Sequence, residues 1–67
     1  MKIRVLNREA KVGDLVASQM DLSTVGLLME FVDVLSGNHP MIYWISGYRK
    51  GTFDWIHRKN VVPVEII

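Results

Sequence analysis

Catalysis would need a nucleophile held beside a base, and the chain offers one such pair in short range. Ser36 and His39 are separated only by Gly37 and Asn38. A serine close to a histidine can have its proton withdrawn and attack a carbonyl. The same four residues also compose an ordinary turn, since serine, glycine and asparagine are turn formers. Turn chemistry is the preferred reading of that pair, and no catalytic residue is assigned. GYRKG at 47–51 lacks the spacing of a phosphate-binding loop and leads into a strand-like run rather than a helix.

Binding chemistry is better represented. Tyr48, Arg49 and Lys50 form one cationic cluster with an aromatic beside it, and His57, Arg58 and Lys59 form a second. Cations that neutralise phosphates, next to rings that stack on bases, are what nucleic-acid binding requires. The plain alternative is that both are solvated turns. Tyr43, Trp44, Phe53 and Trp55 make a third group. Alternation along two short strands cannot turn all four rings into one small core, so part of this set is expected at a protein interface. Aromatic residues near arginine are frequent energetic anchors of such interfaces.

These residues must be positioned by a hairpin. Met41–Ile56 contains two β-branched and aromatic runs joined by a polar tip that begins and ends in glycine. Tyr43 and Ile45 should point to one side of the first strand, with Ile42 and Trp44 on the other. Phe53 and Trp55 should share a face of the returning strand. Gly47 and Gly51 can take the positive φ that a tight connection needs.

The rest of the chain supplies neighbours for this hairpin. Lys2–Leu6 alternates basic and apolar residues, as a short edge strand does. Asn7–Ala10 is a connector, Gly13-Asp14 a turn, and Leu15-Val16 the start of another strand. Ala17–Thr24 is polar and irregular and reads as a long loop, with Met20 and Leu22 folded back onto the domain. Val25–Leu35 fits two patterns. As a helix, Asp21 would cap it and Leu22, Val25, Met29 and Val32 would share a face. As a strand, Leu27, Met29 and Phe31 would share one. Gly26 would cost about 1 kcal/mol inside a helix, and the valines favour a long bent strand. His57–Asn60 suits a single 3-10 turn. Val61–Ile67 reads as the last strand, with Pro63 marking an edge or a bulge.

With 67 residues, 49% of them hydrophobic, the chain is one small domain. Such a domain buries only about 60% of its unfolded surface and is marginally stable. The sequence has no cysteine and two histidines in different segments, His39 and His57. Neither a disulfide nor a structural zinc site is expected, nor any cofactor. Both tryptophans and both phenylalanines fall between Phe31 and Trp55, so the core is expected there. The net charge is +1, which provides no general attraction to nucleic acid or membranes. Residues 39–67 carry four basic and two acidic side chains, against four and five in residues 1–38. No run of 18 apolar residues occurs and no apolar signal core. The expected setting is soluble and reducing.

The order of these elements resembles SH3-like barrels. The resemblance is carried by VGDLV at 12–16, VGLLMEFVD at 25–33, MIYWIS at 41–46, TFDWI at 52–56 and HRKNVVPV at 57–64. It implies an all-β fold: a five-strand barrel over residues 11–67, one 3-10 turn, and residues 1–10 as an added edge strand and connector. More narrowly, the chain is similar to very short SH3-like proteins of tailed bacteriophages. That resemblance implies a non-enzymatic virion accessory (a decoration, cement or connector subunit) found in the virion or the host cytoplasm, with a protein partner or its own copies. A nucleic-acid-binding domain, or a modulator of a host protein, is the alternative. One enzyme family uses this barrel, the plasmid-borne trimethoprim-resistant dihydrofolate reductases. Its active-site strand carries a V-Q-I-Y run, whereas this chain has Phe53-Asp54-Trp55-Ile56, so those catalytic residues do not carry over.

Overall fold

The computed structural model describes residues 2–34 and 37–67. The Ser36 half of the Ser36–His39 pair, and the end of the strand expected to reach Leu35, lie outside the described residues. Six strands are present: β1 (Ile3–Val5), β2 (Leu15–Ser18), β3 (Asp21–Val34), β4 (Gly37–Trp44), β5 (Phe53–Trp55) and β6 (Val61–Ile66). One 3-10 turn, η1 (Arg58–Asn60), precedes β6. The all-β expectation therefore holds, and the strand reading of 25–34 holds against the helical one.

The strands form one antiparallel sheet in the order β1-β6-β2-β3-β4-β5. The sheet is not closed: β1 and β5 are its two edges. It therefore lacks the complete hydrogen-bonded circuit of a barrel.

β3 is long because it serves two neighbours. Val25–Leu27 pair with β2, while the run from Gly26 to Val34 pairs with β4. Met29 is an extra residue between the Leu28–Ile42 and Glu30–Met41 pairs. Such a bulge bends a strand and increases its twist, which lets one strand belong to both halves of the sheet.

Two sequence expectations fail here. Ala17–Thr24 is not a long loop. Ala17 and Ser18 complete β2, Gln19 and Met20 make the turn, and β3 begins at Asp21. The polar residues resemble a loop because β3 bulges: Leu22, Ser23 and Thr24 fall between the Ser18–Asp21 and Ala17–Val25 pairs. Asp21 organises the bulge by accepting from the Ser23 amide at 3.1 Å, the Ser23 hydroxyl at 2.6 Å and the Thr24 hydroxyl at 2.9 Å. Those bonds hold the carboxyl below its ordinary pKa, the Ser23 side chain contributing most. With so tight a connection, Met20 and Leu22 do not fold back: both are exposed, Met20 at 83%.

The second failure concerns β6, which is not an edge. It lies between β1 and β2, and Pro63 is buried opposite Val16. The Pro63 carbonyl accepts from the Leu6 amide at 2.9 Å, on the β1 side. The nitrogen and oxygen of one strand residue point the same way, so the missing N–H faces the end of β1. No bond to β2 is lost.

Burial occurs on both faces of the sheet. Val16, Leu28, Ile42 and Trp44 form one cluster, with Ala10, Phe31, Ile56 and Val61 packed against it. Ala17, Val25 and Val64 form the other, with Ile3, Leu15 and Val62. Each fully buried Val, Leu or Ile contributes about 1.5–3 kcal/mol. The core is thus wider than the Phe31–Trp55 segment, because β2 is an interior strand and both Val16 and Ala17 are buried.

Candidate interaction surface

The hairpin positions the aromatic residues as the alternation requires. Ile42 and Trp44 are buried, and Tyr43 and Ile45 are exposed. Tyr43 stands directly opposite Phe53 on β5 and opposite Leu27 on β3. A row Leu27–Tyr43–Phe53 therefore crosses three strands on one face. Met41 and Trp55 form the next pair on that face. Tyr43 is 45% and Phe53 53% exposed, and Trp55 is half-buried.

Of the four aromatics expected at an interface, Trp44 is corrected. It is fully buried, because its parity is that of Ile42 and it enters the core cluster with Val16 and Leu28. Its indole N–H is buried with no hydrogen-bond partner among the described residues.

The hairpin tip is ordered by two overlapping turns. The Lys50 amide donates to the Gly47 carbonyl at 3.1 Å and the Thr52 amide to the Arg49 carbonyl at 3.0 Å. Gly47 and Gly51 take φ of +80° and +85°, as expected for them. Arg49 is not free in solvent. Its guanidinium carbon lies 5.3 Å from the Tyr48 ring centre and 5.9 Å from that of Trp44, within cation–π range. Its Nε donates to the Tyr48 hydroxyl at 3.1 Å, and Nη1 is 3.9 Å from Asp54 Oδ2. Tyr48 and Lys50 are exposed.

The second cationic cluster has a structural element at its start. His57 is the N-cap of η1, its Nδ1 accepting from the Lys59 amide at 3.3 Å. Arg58 and Lys59 are exposed. The two clusters stand at opposite ends of β5, with Lys50 before it and Arg58 after it. Phe53 and Trp55 lie between them.

His39 and His57, remote in sequence, meet in space. Their ring centres are 4.3 Å apart, and His39 stacks on Trp55 at 5.2 Å. His39 is buried, and its Nδ1 accepts from the Arg58 amide at 3.1 Å. Both histidines thereby fasten η1 to β4. Burial, then the neighbouring His39, Lys59 and Arg58, push the His57 pKa below its ordinary value. No spacing rule could have indicated this pair, since the packing of η1 on β4 creates it. Among the described residues, no cluster of three or more His, Asp or Glu has metal-ligating geometry. No helix among them is long and apolar enough to cross a membrane.

A groove of about 730 Å³ opens on the other face, between the Asn7–Ala10 connector and β4. Leu28, Phe31, Pro40 and Val61 line it, with Arg8 and Arg58 among its polar residues. Arg8 is engaged by Asp14, through Nη1 at 2.7 Å and Nη2 at 3.3 Å. No protein-family model matches the chain, and searches of curated proteins and of solved structures return no match to it.

Proposed function

We propose that this chain is a non-enzymatic protein-binding module of the SH3-like type, acting as a virion accessory subunit that packs on a larger protein. The observation that carries this reading is the outward Tyr43–Phe53 pair. Two large rings, about half exposed, continue a row whose third member is Leu27. Met29 and Ile45 are exposed as well. Apolar surface that the core leaves uncovered suits docking onto protein. The SH3-like assignment draws on the order of elements: a Gly-Asp turn, a long bent strand, a hairpin, a 3-10 turn and a closing strand. The phage setting draws on the sequence resemblance.

A purified-particle inventory tests the reading. A decoration, cement or connector subunit is present in virions at fixed copy number, and Tyr43→Ser with Phe53→Ser removes it from them. Particles lacking the protein altogether would refute the virion role. Nucleic-acid binding is the weaker second reading. It draws on the exposed Lys50, Arg58 and Lys59, which flank β5 in the chain with the Asp54 carboxylate between them.

A further inference from the structure

β5 carries backbone groups that the sheet does not use. Trp44 donates to the Thr52 carbonyl at 2.9 Å, so even-numbered residues on β4 and β5 point their peptide groups at each other. Ile42 and Asp54 follow in the same register. Antiparallel pairing alternates such hydrogen-bonded pairs with non-bonded ones. Phe53 and Trp55 occupy the non-bonded positions, and their N–H and C=O groups therefore point away from β4, toward the free edge of the sheet. The Trp55 amide shows this directly: it donates to its neighbour's carboxylate, Asp54 Oδ1, at 2.8 Å. The Phe53 amide and carbonyl have no such side-chain cover among the described residues.

An edge with unused peptide groups is a template for another strand. The other edge, β1, is guarded by Lys2 and the Arg4–Glu65 ion pair. At β5 the cations stand at the ends instead, with the Asp54 carboxylate between them. Arg49 and Lys50 precede it, and Arg58 and Lys59 follow it. A second copy of β5 brought up antiparallel about Asp54 would place Lys50 against Arg58 and Asp54 against Asp54. Opposed like charges destabilise strand pairing, so that register disfavours a second copy.

We infer that β5 accepts an extended strand of a partner protein, apolar at alternate positions and acidic at both ends. The inference rests on the protein-binding reading and deepens it. The partner's peptide groups complete the Phe53 pair. Its apolar side chains extend the Tyr43–Phe53 row, and its terminal carboxylates meet the cations at either end of β5. A nucleic-acid strand fits less well, because Asp54 puts a carboxylate at the centre of the edge and backbone donors and acceptors there find no matching ladder.

The test is amide hydrogen exchange of the whole protein with short synthetic peptides. One peptide alternates valine and threonine with two glutamates at each end. A second has lysines at the ends, and a third probe is a single-stranded oligothymidylate. The acidic-ended peptide should slow exchange at Phe53, and the lysine-ended one should not at equal concentration. Arg49→Glu, Lys50→Glu, Arg58→Glu and Lys59→Glu together should weaken the first peptide at least tenfold and reverse the preference. Equal binding of both peptides, or no protection of Phe53 by either, overturns the inference. So does binding of the oligothymidylate alone. A peptide that binds the Tyr43 ring without protecting Phe53 sinks the edge pairing but leaves the aromatic-face reading standing. The particle inventory decides that reading separately.

Discussion

Gly26 on β3 stands directly opposite Trp44 on β4, and the position a Cβ would take at Gly26 is already filled. Such an atom would lie 2.8 Å from the Tyr43 carbonyl oxygen and 3.0 Å from the Trp44 ring, and closer still to the Ile42 methyl. The glycine is what lets a tryptophan lie across a buried strand. Gly26→Ala is expected to cost about 1–3 kcal/mol by overpacking. Denaturant unfolding checks this, and a midpoint equal to that of the natural chain would show that the sheet can shift to make room.

The two tryptophans should part company on truncation. Trp44 is fully buried and Trp55 half-buried, stacked on His39. Trp44→Ala should lose about 3–5 kcal/mol, the range for a buried aromatic. Trp55→Ala should lose clearly less. Thermal melts of both variants decide it, with equal losses counting against the assignment of Trp44 to the core.

At the hairpin tip, Gly47 has φ of +80° and lies against Thr24, whose Cα would be 2.7 Å from an added Cβ. Ser46 reinforces the same contact, its hydroxyl accepting from the Val25 amide at 3.1 Å and donating to the Ser23 carbonyl at 2.8 Å. Gly47→Ala therefore meets both strain and a clash and should destabilise by about 1–3 kcal/mol. Gly51, with nothing near a Cβ, meets only the strain. Gly51→Ala should be the milder change in the same melt.

Acid should loosen the connector. The Arg8 side chain, by its hydrogen bond above all, holds the Asp14 carboxyl below its ordinary pKa. A carboxyl depressed in the fold stabilises fully above its unfolded value of about 4, and the contribution disappears as pH falls further. Arg8→Ala should flatten that acid limb of melting temperature against pH. Salt should shrink the difference, because the pair is partly exposed. An unchanged limb would place the acid sensitivity elsewhere.

His57 titrates in the opposite sense to a salt-bridged histidine. Its pKa is lowered in the fold, so the unfolded chain binds its proton more readily. Its stabilising contribution is complete above about pH 6.5 and declines as pH falls below that. Protonation also removes the Nδ1 acceptor that caps η1. The expected result is faster exchange of the Lys59 amide at pH 5 than the intrinsic rate change predicts, absent in His57→Asn, whose side chain can still cap.

Much of this protein is set by local pattern. Period-two alternation put Ile42 and Trp44 on one face and Tyr43 and Ile45 on the other, because one strand has only two faces. It did not say which face is buried: Trp44, expected at an interface, lies in the core. Gly47 and Gly51 marked the tip because positive φ is cheap only for glycine, and His57–Asn60 became a 3-10 turn as its polar run suggested. The long β3 was legible from its valines and from Gly26, although the reason for that glycine was not. What the sequence left undetermined was which strands lie side by side. Pro63 looked like an edge residue, yet β6 is interior, since only pairing with both β1 and β2 reveals which way its missing N–H points. Ala17–Thr24 looked like a loop because Asp21, Ser23 and Thr24 satisfy one another within a bulge, a hydrogen-bonding solution that composition does not encode. The meeting of His39 with His57 follows from a long-range contact, the packing of η1 on β4. Alternation tells a side chain its face, but only the tertiary sheet order decides its neighbours and which edge is left open.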